Sequence, residues 1–237
     1  MQRYFANVKD KIVYLKEDDI FHLTKVMRAR INDRIEIVDE NHRAYLAVIT
    51  SISPLRIEIQ EPILNNSELD SEVTLFFGLA KLDKIELVIQ KATELGVKNI
   101  VLFQGKRSVV KFNETDFSRK LPRYNAIAKE ASEQCHREYI PNIKFRKSLH
   151  EIKDDLCELN LFAYELDAGD TSSFSSLLEK HYNSISIIIG PEGGFDSSEA
   201  LFLKELGFNN VSLGKRILRC ETAAIYALSV ISFNLEK

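Results

Sequence analysis

The rhythm of apolar and polar positions along this chain changes once, near residue 70. Before that point apolar residues come in short runs: Ile12-Val13-Tyr14-Leu15, Ile35-Glu36-Ile37-Val38, Tyr45-Leu46-Ala47-Val48-Ile49 and Leu55-Arg56-Ile57-Glu58-Ile59. Runs of this length, rich in β-branched residues, predict short strands. Ser53-Pro54 supplies the turn between the last two. Only residues 18–27 have helical spacing, with Ile20, Leu23, Val26 and Met27 on one side. A small β-barrel results, a type that often binds nucleic acid; a barrel that merely packs on its neighbour fits the same pattern. Residues 61–71 carry a proline, paired asparagines and no apolar period, which marks a linker. The domains expected are therefore 1–70 and 71–237.

From Glu72 onward strands and helices alternate. Strands are predicted over 73–77, 99–103, 161–164, 185–189 and 211–213. Helices are predicted over 83–95, 119–135, about 174–178, 197–206 and 221–234. Gly96 and Gly207 stand where helices stop, and Pro122 fits a first helical turn. Such alternation predicts an α/β domain with a mostly parallel sheet covered by helices.

The run Ile185-Ser186-Ile187-Ile188-Ile189 reads as the central strand of that sheet. It empties into Gly190-Pro191-Glu192-Gly193-Gly194, where paired glycines let another molecule approach the backbone. Asp196 with Glu199 has the capping-box pattern of a helix start. A second tight segment comes next, Leu213-Gly214-Lys215-Arg216-Ile217-Leu218-Arg219. Loops at strand tips are where α/β proteins bind small molecules. The glycine loop is neither GxxxxGK[ST] nor GxGxxG, and Glu192 in its middle would repel phosphates. A ligand without phosphates, such as S-adenosylmethionine, fits better. A tight turn with a solvent-facing glutamate is the alternative for the loop taken alone.

Composition adds limits. With 237 residues, 45% hydrophobic and 28% charged, the chain has the make-up of a globular protein able to bury a core. No run of 18 apolar residues predicts a membrane span, and the polar start MQRYFANVKD does not resemble a signal peptide. The three cysteines lack metal-like spacing, and their odd number suits a reducing cytoplasm. Net charge is −3, but it is unevenly spread. Residues 104–147 hold eleven Lys or Arg against five Asp or Glu, and residues 150–211 hold three against twelve. A basic face on an acidic protein is compatible with an RNA partner; two solvated helix faces are the other explanation.

Several motifs together carry a resemblance. They are Gly190-Pro191-Glu192-Gly193-Gly194-Phe195 with Glu199, and Leu213 to Ala223. Added to these are Gln90-Lys91-Ala92-Thr93-Glu94-Leu95-Gly96-Val97, Arg107-Ser108, Glu133-Gln134-Cys135-His136-Arg137, and His22-Leu23 with Val26-Met27-Arg28. Collinear over essentially the whole chain, they resemble the RsmE family. These SPOUT-class methyltransferases modify ring nitrogen 3 of a uridine in 16S ribosomal RNA of the small subunit. Three positions depart from the family pattern: Cys220 stands for Thr, Lys106 for an acidic residue, and Ile31-Asn32-Asp33 for a Gly-Asp turn.

The resemblance implies a SPOUT domain with a trefoil knot near residues 185–225, a PUA-like barrel before it, a homodimer, and S-adenosylmethionine as methyl donor with no metal. It also implies a cytoplasmic enzyme acting on the assembled small subunit. The donor contacts it implies are Gly190, Pro191, Glu192, Gly193, Gly194, Leu213, Gly214, Ile217 and Leu218, with Leu161, Phe162 or nearby strand-end residues as a further wall. Arg219 is the first choice to stabilise charge on the uracil, Arg107 and Arg137 are further candidates, and Glu221 or His136 is a candidate base. Arg3, Lys25, Arg28, Arg30, Lys106, Arg107, Lys111 and Arg137 are the expected RNA contacts. His22 and His42 are assigned structural or solvated positions. Competing functions are a SPOUT methyltransferase for another nucleotide, a non-catalytic RNA-binding or ribosome-assembly protein, and a phosphate-cofactor enzyme that Glu192 opposes.

Overall fold

The structure is a computed structural model that describes residues 1–64, 67–164 and 174–236. Asn65 and Asn66 of the predicted linker lie outside the described residues. The chain divides into two compact units, Met1–Glu68 with Ser132–Tyr139, and Leu69–Ala131 with Ile140–Lys237.

In the first unit, β1 (Arg3–Phe5), β2 (Asn7–Lys9), β3 (Ile12–Tyr14), β4 (Arg34–Val38), β5 (Ala44–Ile52) and β6 (Leu55–Pro62) form one sheet in the order β1-β4-β5-β6-β3-β2. The β1–β4 pair is parallel and the other pairs antiparallel. Alternation along β4 and β5 sends Ile35, Ile37, Ala47 and Ile49 into a core with Tyr4, Val13, Leu23 and Ile57. The helix α1 (Glu17–Phe21) passes into a π-helical turn over His22–Val26. There the Met27 N–H donates to the His22 carbonyl five residues back, at 2.9 Å. The wider turn rotates the last residues of the segment off the helical face. Leu23 is buried, while Val26 and Met27 stand exposed, so the single apolar face predicted over 18–27 is interrupted. Asn32 takes the left-handed conformation, φ +72°, before β4.

The Ser132–Tyr139 segment is fixed in this unit by ion pairs. Arg137 is 2% exposed, and its Nη2 lies 2.5 Å from Glu68 Oε2. Glu68 Oε1 also accepts the backbone N–H groups of Glu138 and Tyr139, at 3.0 and 3.1 Å. Arg3 Nη2 and His136 Nδ1 share Glu36 Oε2, each at 2.8 Å. Burial acts to raise the Glu36 carboxyl, but hydrogen bonds from His136 and Arg3 outweigh it and hold the group below the usual carboxylate range. The His42 ring stacks on Tyr139 at 3.7 Å, and His22 Nδ1 lies 2.9 Å from the Tyr4 hydroxyl.

In the second unit, β7 (Glu72–Gly78), β8 (Asn99–Phe103), β9 (Asn142–Arg146), β10 (Leu159–Ala163), β11 (Ser184–Ile189) and β12 (Asn209–Val211) form a sheet in the order β12-β10-β11-β7-β8-β9. Every pair is parallel. The helices are α2 (Leu82–Glu94), α3 (Glu114–Gln134), α4 (Phe174–Leu177), α5 (Ser197–Glu205) and α6 (Cys220–Leu235). Leu75, Phe77, Ile187 and Ile189 pack with Ile85 and Ile89 of α2 and Leu228 of α6. The neighbouring Phe76 and Ile188 belong to a second core with Phe195 and Leu203. Burial on both faces is why these strands read as unbroken apolar runs.

Local chemistry sets the boundaries. Helix α2 stops in a two-bond cap: Val97 N–H donates to Ala92 O at 3.0 Å and Gly96 N–H to Thr93 O at 3.1 Å. Helix α3 begins five residues before its predicted start. Asn113 Oδ1 accepts the Asp116 N–H at 2.9 Å, and Asp116 Oδ2 accepts the Asn113 N–H at 3.2 Å. Pro122 therefore lies inside the helix, not in its first turn. Ala223, Ala224, Ala227 and Leu228 are core residues of α6. The strand β9 and the 3-10 helix Leu149–Asp155 were not predicted.

Candidate functional site

The central strands β11 and β7 release the chain at the same edge, and glycine lets the two exits touch. A Cβ added at Gly78, the last residue of β7, would lie 2.4 Å from the Pro191 nitrogen. The Pro191 carbonyl accepts the Gly194 N–H at 2.8 Å, closing a tight turn in which Gly194 has φ +68°. Helix α5 then starts with the predicted capping box. Asp196 Oδ1 accepts the Ser198 N–H at 3.0 Å, and Glu199 Oε2 accepts the Asp196 N–H at 2.8 Å. The other Glu199 oxygen accepts the Lys106 N–H at 2.8 Å, so the turn after β8 is tied to the start of α5. Arg107 Nη1 donates to the Gly193 carbonyl at 3.3 Å, supporting the glycine turn from behind.

The stretch 212–219 returns from β12 toward Arg219, the N-cap residue of α6. Between it and the glycine loop lies a cavity of about 580 Å³, within the size range of small-molecule sites. The 190–194 backbone forms one wall. Ile189, Phe195, Val211, Leu213 and Leu218 give it an apolar side. The 212–219 backbone lies outside helix and strand, which leaves amides and carbonyls for a ligand. Lys215, Arg216 and Arg219 line the mouth. All three are exposed, and their side chains make no hydrogen bond or ion pair with a described residue.

A charged cluster occupies the remaining wall. Lys84 Nζ lies 2.8 Å from Glu192 Oε1 and 3.3 Å from Glu221 Oε2. The Glu192 hydrogen bond holds the Lys84 ammonium above its usual range. Burial acts to raise the Glu221 carboxyl; hydrogen bonds from its own backbone N–H, the Cys220 thiol and Lys84 outweigh it and keep it low. Cys220 Sγ donates to Glu221 Oε2 at 3.3 Å. Burial first, and then the Glu221 carboxylate, push that thiol up to about 11.

The structure thus brings Gly190 to Gly194, Leu213, Gly214, Ile217, Leu218 and Arg219 round one cavity. Glu221 meets it only through Lys84, and Arg107 through Gly193. Lys106 is exposed beside α5, its ammonium 2.5 Å from Ser198 Oγ, and Lys111 is exposed in the same unit. Arg3 and Arg137 are buried in the first unit in the ion pairs described above, whereas Lys25, Arg28 and Arg30 stand exposed there. Leu161 and Phe162 are buried in the two cores; the next two residues, Ala163 and Tyr164, line the cavity instead. The strand ends at Ala163, so its tip and not its body meets the cavity. Sequence reasoning missed Lys84. The available signal was a lysine in the first turn of α2, where the helix dipole disfavours a cation. Among the described residues, no group of three or more His, Cys, Asp or Glu is placed to hold a metal, and no helix is long and apolar enough to cross a membrane.

Comparison with known proteins gives concordant matches. The family model of an RNA methyltransferase domain matches residues 67–232, and that of an RNA methyltransferase PUA domain matches residues 15–61. The chain is 34% identical to the ribosomal RNA small subunit methyltransferase E of Bacillus subtilis, over 100% of this chain and 98% of that protein. A crystal structure of the enzyme of that name from Neisseria gonorrhoeae, bound to S-adenosyl methionine, superposes with a TM-score of 0.87 at 26% identity. The match covers 98% of this chain and 97% of that one. A putative methyltransferase from Legionella pneumophila, in complex with the same cofactor, gives 0.85 at 26% identity, covering 97% and 96%.

Proposed function

Because this chain belongs to the family of ribosomal RNA small subunit methyltransferases E, we propose that it transfers a methyl group from S-adenosylmethionine to ring nitrogen 3 of a uridine in 16S ribosomal RNA. The observation that carries the proposal is the cavity between residues 190–194 and 212–219. Its donor set suits S-adenosylmethionine. The apolar side takes an adenine, loop backbone outside helix and strand offers hydrogen bonds to it, and the Glu192 carboxylate disfavours a phosphate-bearing ligand. Bound there, S-adenosylmethionine supplies the methyl group as a sulfonium, with a neutral thioether as leaving group.

The rest of the task falls to the chain. Nitrogen 3 lies on the pairing edge of uracil, so the base must be unpaired or out of its stack to be reached. Its proton passes to solvent water as the carbon–nitrogen bond forms, and negative charge grows on the flanking carbonyl oxygens in between. Arg219 stands exposed at the mouth, its guanidinium without a partner among the described residues, and stabilises that charge. Lys215 and Arg216 beside it receive phosphates. Glu221, held low by its hydrogen bonds, is a poor base, and we assign it to the Lys84 cluster. Arg107 braces the glycine turn, and Arg137 holds the Ser132–Tyr139 segment. Lys25, Arg28 and Arg30 give the first unit an exposed basic strip for RNA.

The same proposal has residues 1–70 binding RNA and residues 71–237 carrying the chemistry in the cytoplasm. It includes the trefoil knot near 185–225: from β12 at the sheet edge the chain returns to α6, which packs on α2 and β11. It also includes a homodimer through the face of α6 that exposes Tyr226 and Phe233.

The test is incubation with methyl-labelled S-adenosylmethionine and small-subunit RNA from cells lacking this activity, as free RNA and as particles. Digestion and mass spectrometry should find labelled 3-methyluridine at one site. Another labelled nucleoside would replace the target. Absence of label from both substrates would contradict the proposal.

A further inference from the structure

Among the described residues, Lys84 is the one cation of the cavity wall that faces two carboxylates. It comes from the first turn of α2, Glu192 from the glycine loop, and Glu221 from the first turn of α6. A cation in a first helical turn is disfavoured by the helix dipole, whereas Glu221 at the start of α6 is favoured. The two hydrogen-bonded carboxylates offset that cost for Lys84. Its Nζ lies 2.8 Å from one and 3.3 Å from the other, so one ammonium joins three separate chain segments.

The glycine loop needs such a fastening. Pro191 lies against Gly78 and the Gly193 carbonyl against Arg107, but the Glu192 side chain between them pairs with Lys84 alone among the described residues. Without the ammonium, Glu192 and Glu221 would face each other as like charges.

We propose that Lys84 is a positioning residue for the methyl donor: it joins Glu192 to Glu221, and so fixes the glycine loop against the start of α6 and sets the Glu192 carboxylate in the cavity wall. This rests on the cavity being the S-adenosylmethionine site. Lys84 acts through Glu192 and not on the ligand's charge. The neutral product S-adenosylhomocysteine therefore depends on it as much as the cationic donor does.

Isothermal titration with both ligands tests this in a double-mutant cycle of Lys84→Met and Glu192→Gln, with Lys84→Arg as the conservative variant. Binding by the unmodified protein comes first; its failure would remove the donor site itself, separately from the role of Lys84. Given binding, Lys84→Met should weaken both ligands at least about tenfold, with Lys84→Arg restoring most of the loss. The double variant should be no weaker than the worse single one. Thermal melts of the unliganded variants should stay close to the unmodified protein. Unchanged affinity in Lys84→Met, multiplying losses in the double variant, or a loss confined to the cationic donor would each overturn the proposal.

Discussion

Two arginines from the chain's recognisable motifs meet opposite fates. Arg137, in the first unit, is buried against Glu68, which also holds two backbone N–H groups of the same segment. Arg219, in the second unit, is the N-cap residue of α6 at the mouth of the cavity, its guanidinium exposed and without a partner among the described residues. Both are one residue type in a family motif, and the sequence made both candidates to act on the uracil, Arg219 as the first choice and Arg137 as a further one. The difference lies in desolvation. A guanidinium out of water needs its partner to remain charged there, so Arg137 is bound to its structural task. In the proposed mechanism Arg219, exposed at the cavity mouth, gives its donors to charge that appears only during reaction. The motif marks both positions; the partner shows that Arg137 holds the fold.

The contrast is most vulnerable at Arg137. Arg137→Met leaves the partly buried Glu68 without the guanidinium and should cost about 3 kcal/mol in urea unfolding, the low end for a buried pair. Adding Glu68→Gln should recover part of that. A loss below about 1 kcal/mol would mean the pair carries little.

Two glycines refine the picture inside the second unit. In Gly78→Ala the new methyl would meet the Pro191 backbone, so the loop must move, and S-adenosylmethionine affinity should fall at least about tenfold, or ~1.4 kcal/mol. Gly207→Ala, at φ +86° with open space around it, should cost about 1 kcal/mol of stability and leave affinity unchanged. Equal affinity losses in both would show that the close approach at Gly78 is unimportant.

Acid separates the regions more gently. Glu36 is held below its usual value in the fold, so its contribution to stability is complete above about pH 4.5 and is lost as pH falls through the lower folded value. Denaturation midpoints between pH 6 and 3 should therefore fall less steeply in Glu36→Gln than in the unmodified protein. Parallel slopes would show that the Arg3–Glu36–His136 cluster adds nothing to acid stability.

The smallest effect concerns Cys220. With its thiol pushed up to about 11, only about one part in a thousand is thiolate at pH 8. Iodoacetamide should therefore modify Cys220 much more slowly than the partly exposed Cys135, as peptide mapping would reveal. Comparable rates would contradict its buried pairing with Glu221.

Much of this arrangement was legible in the residues. The apolar run 185–189, the glycine loop and the Asp196/Glu199 cap are local patterns, and local physics fixes them. The α3 start was misplaced because Pro122 suggested a first turn, while the Asn113–Asp116 exchange set the real one. The face predicted over 18–27 assumed 3.6 residues per turn, and the π-helical turn at His22–Val26 does not keep that period. Two features had roles that no local pattern could assign. Ser132–Tyr139 joins the first unit through partners such as Glu68, 69 positions away, and Arg3, 133 positions away. Lys84 gains its meaning only from carboxylates that the fold brings to it.

The most direct test of Arg219's role is the single-turnover methylation rate of Arg219→Ala at saturating S-adenosylmethionine and RNA, measured beside its urea midpoint. An exposed arginine that acts on transition-state charge predicts a rate about 10²–10³-fold lower with an unchanged midpoint. A rate within about threefold of the unmodified protein, ~0.6 kcal/mol, would contradict it. So would a slow rate explained by a lowered midpoint, which would make Arg219 a second Arg137.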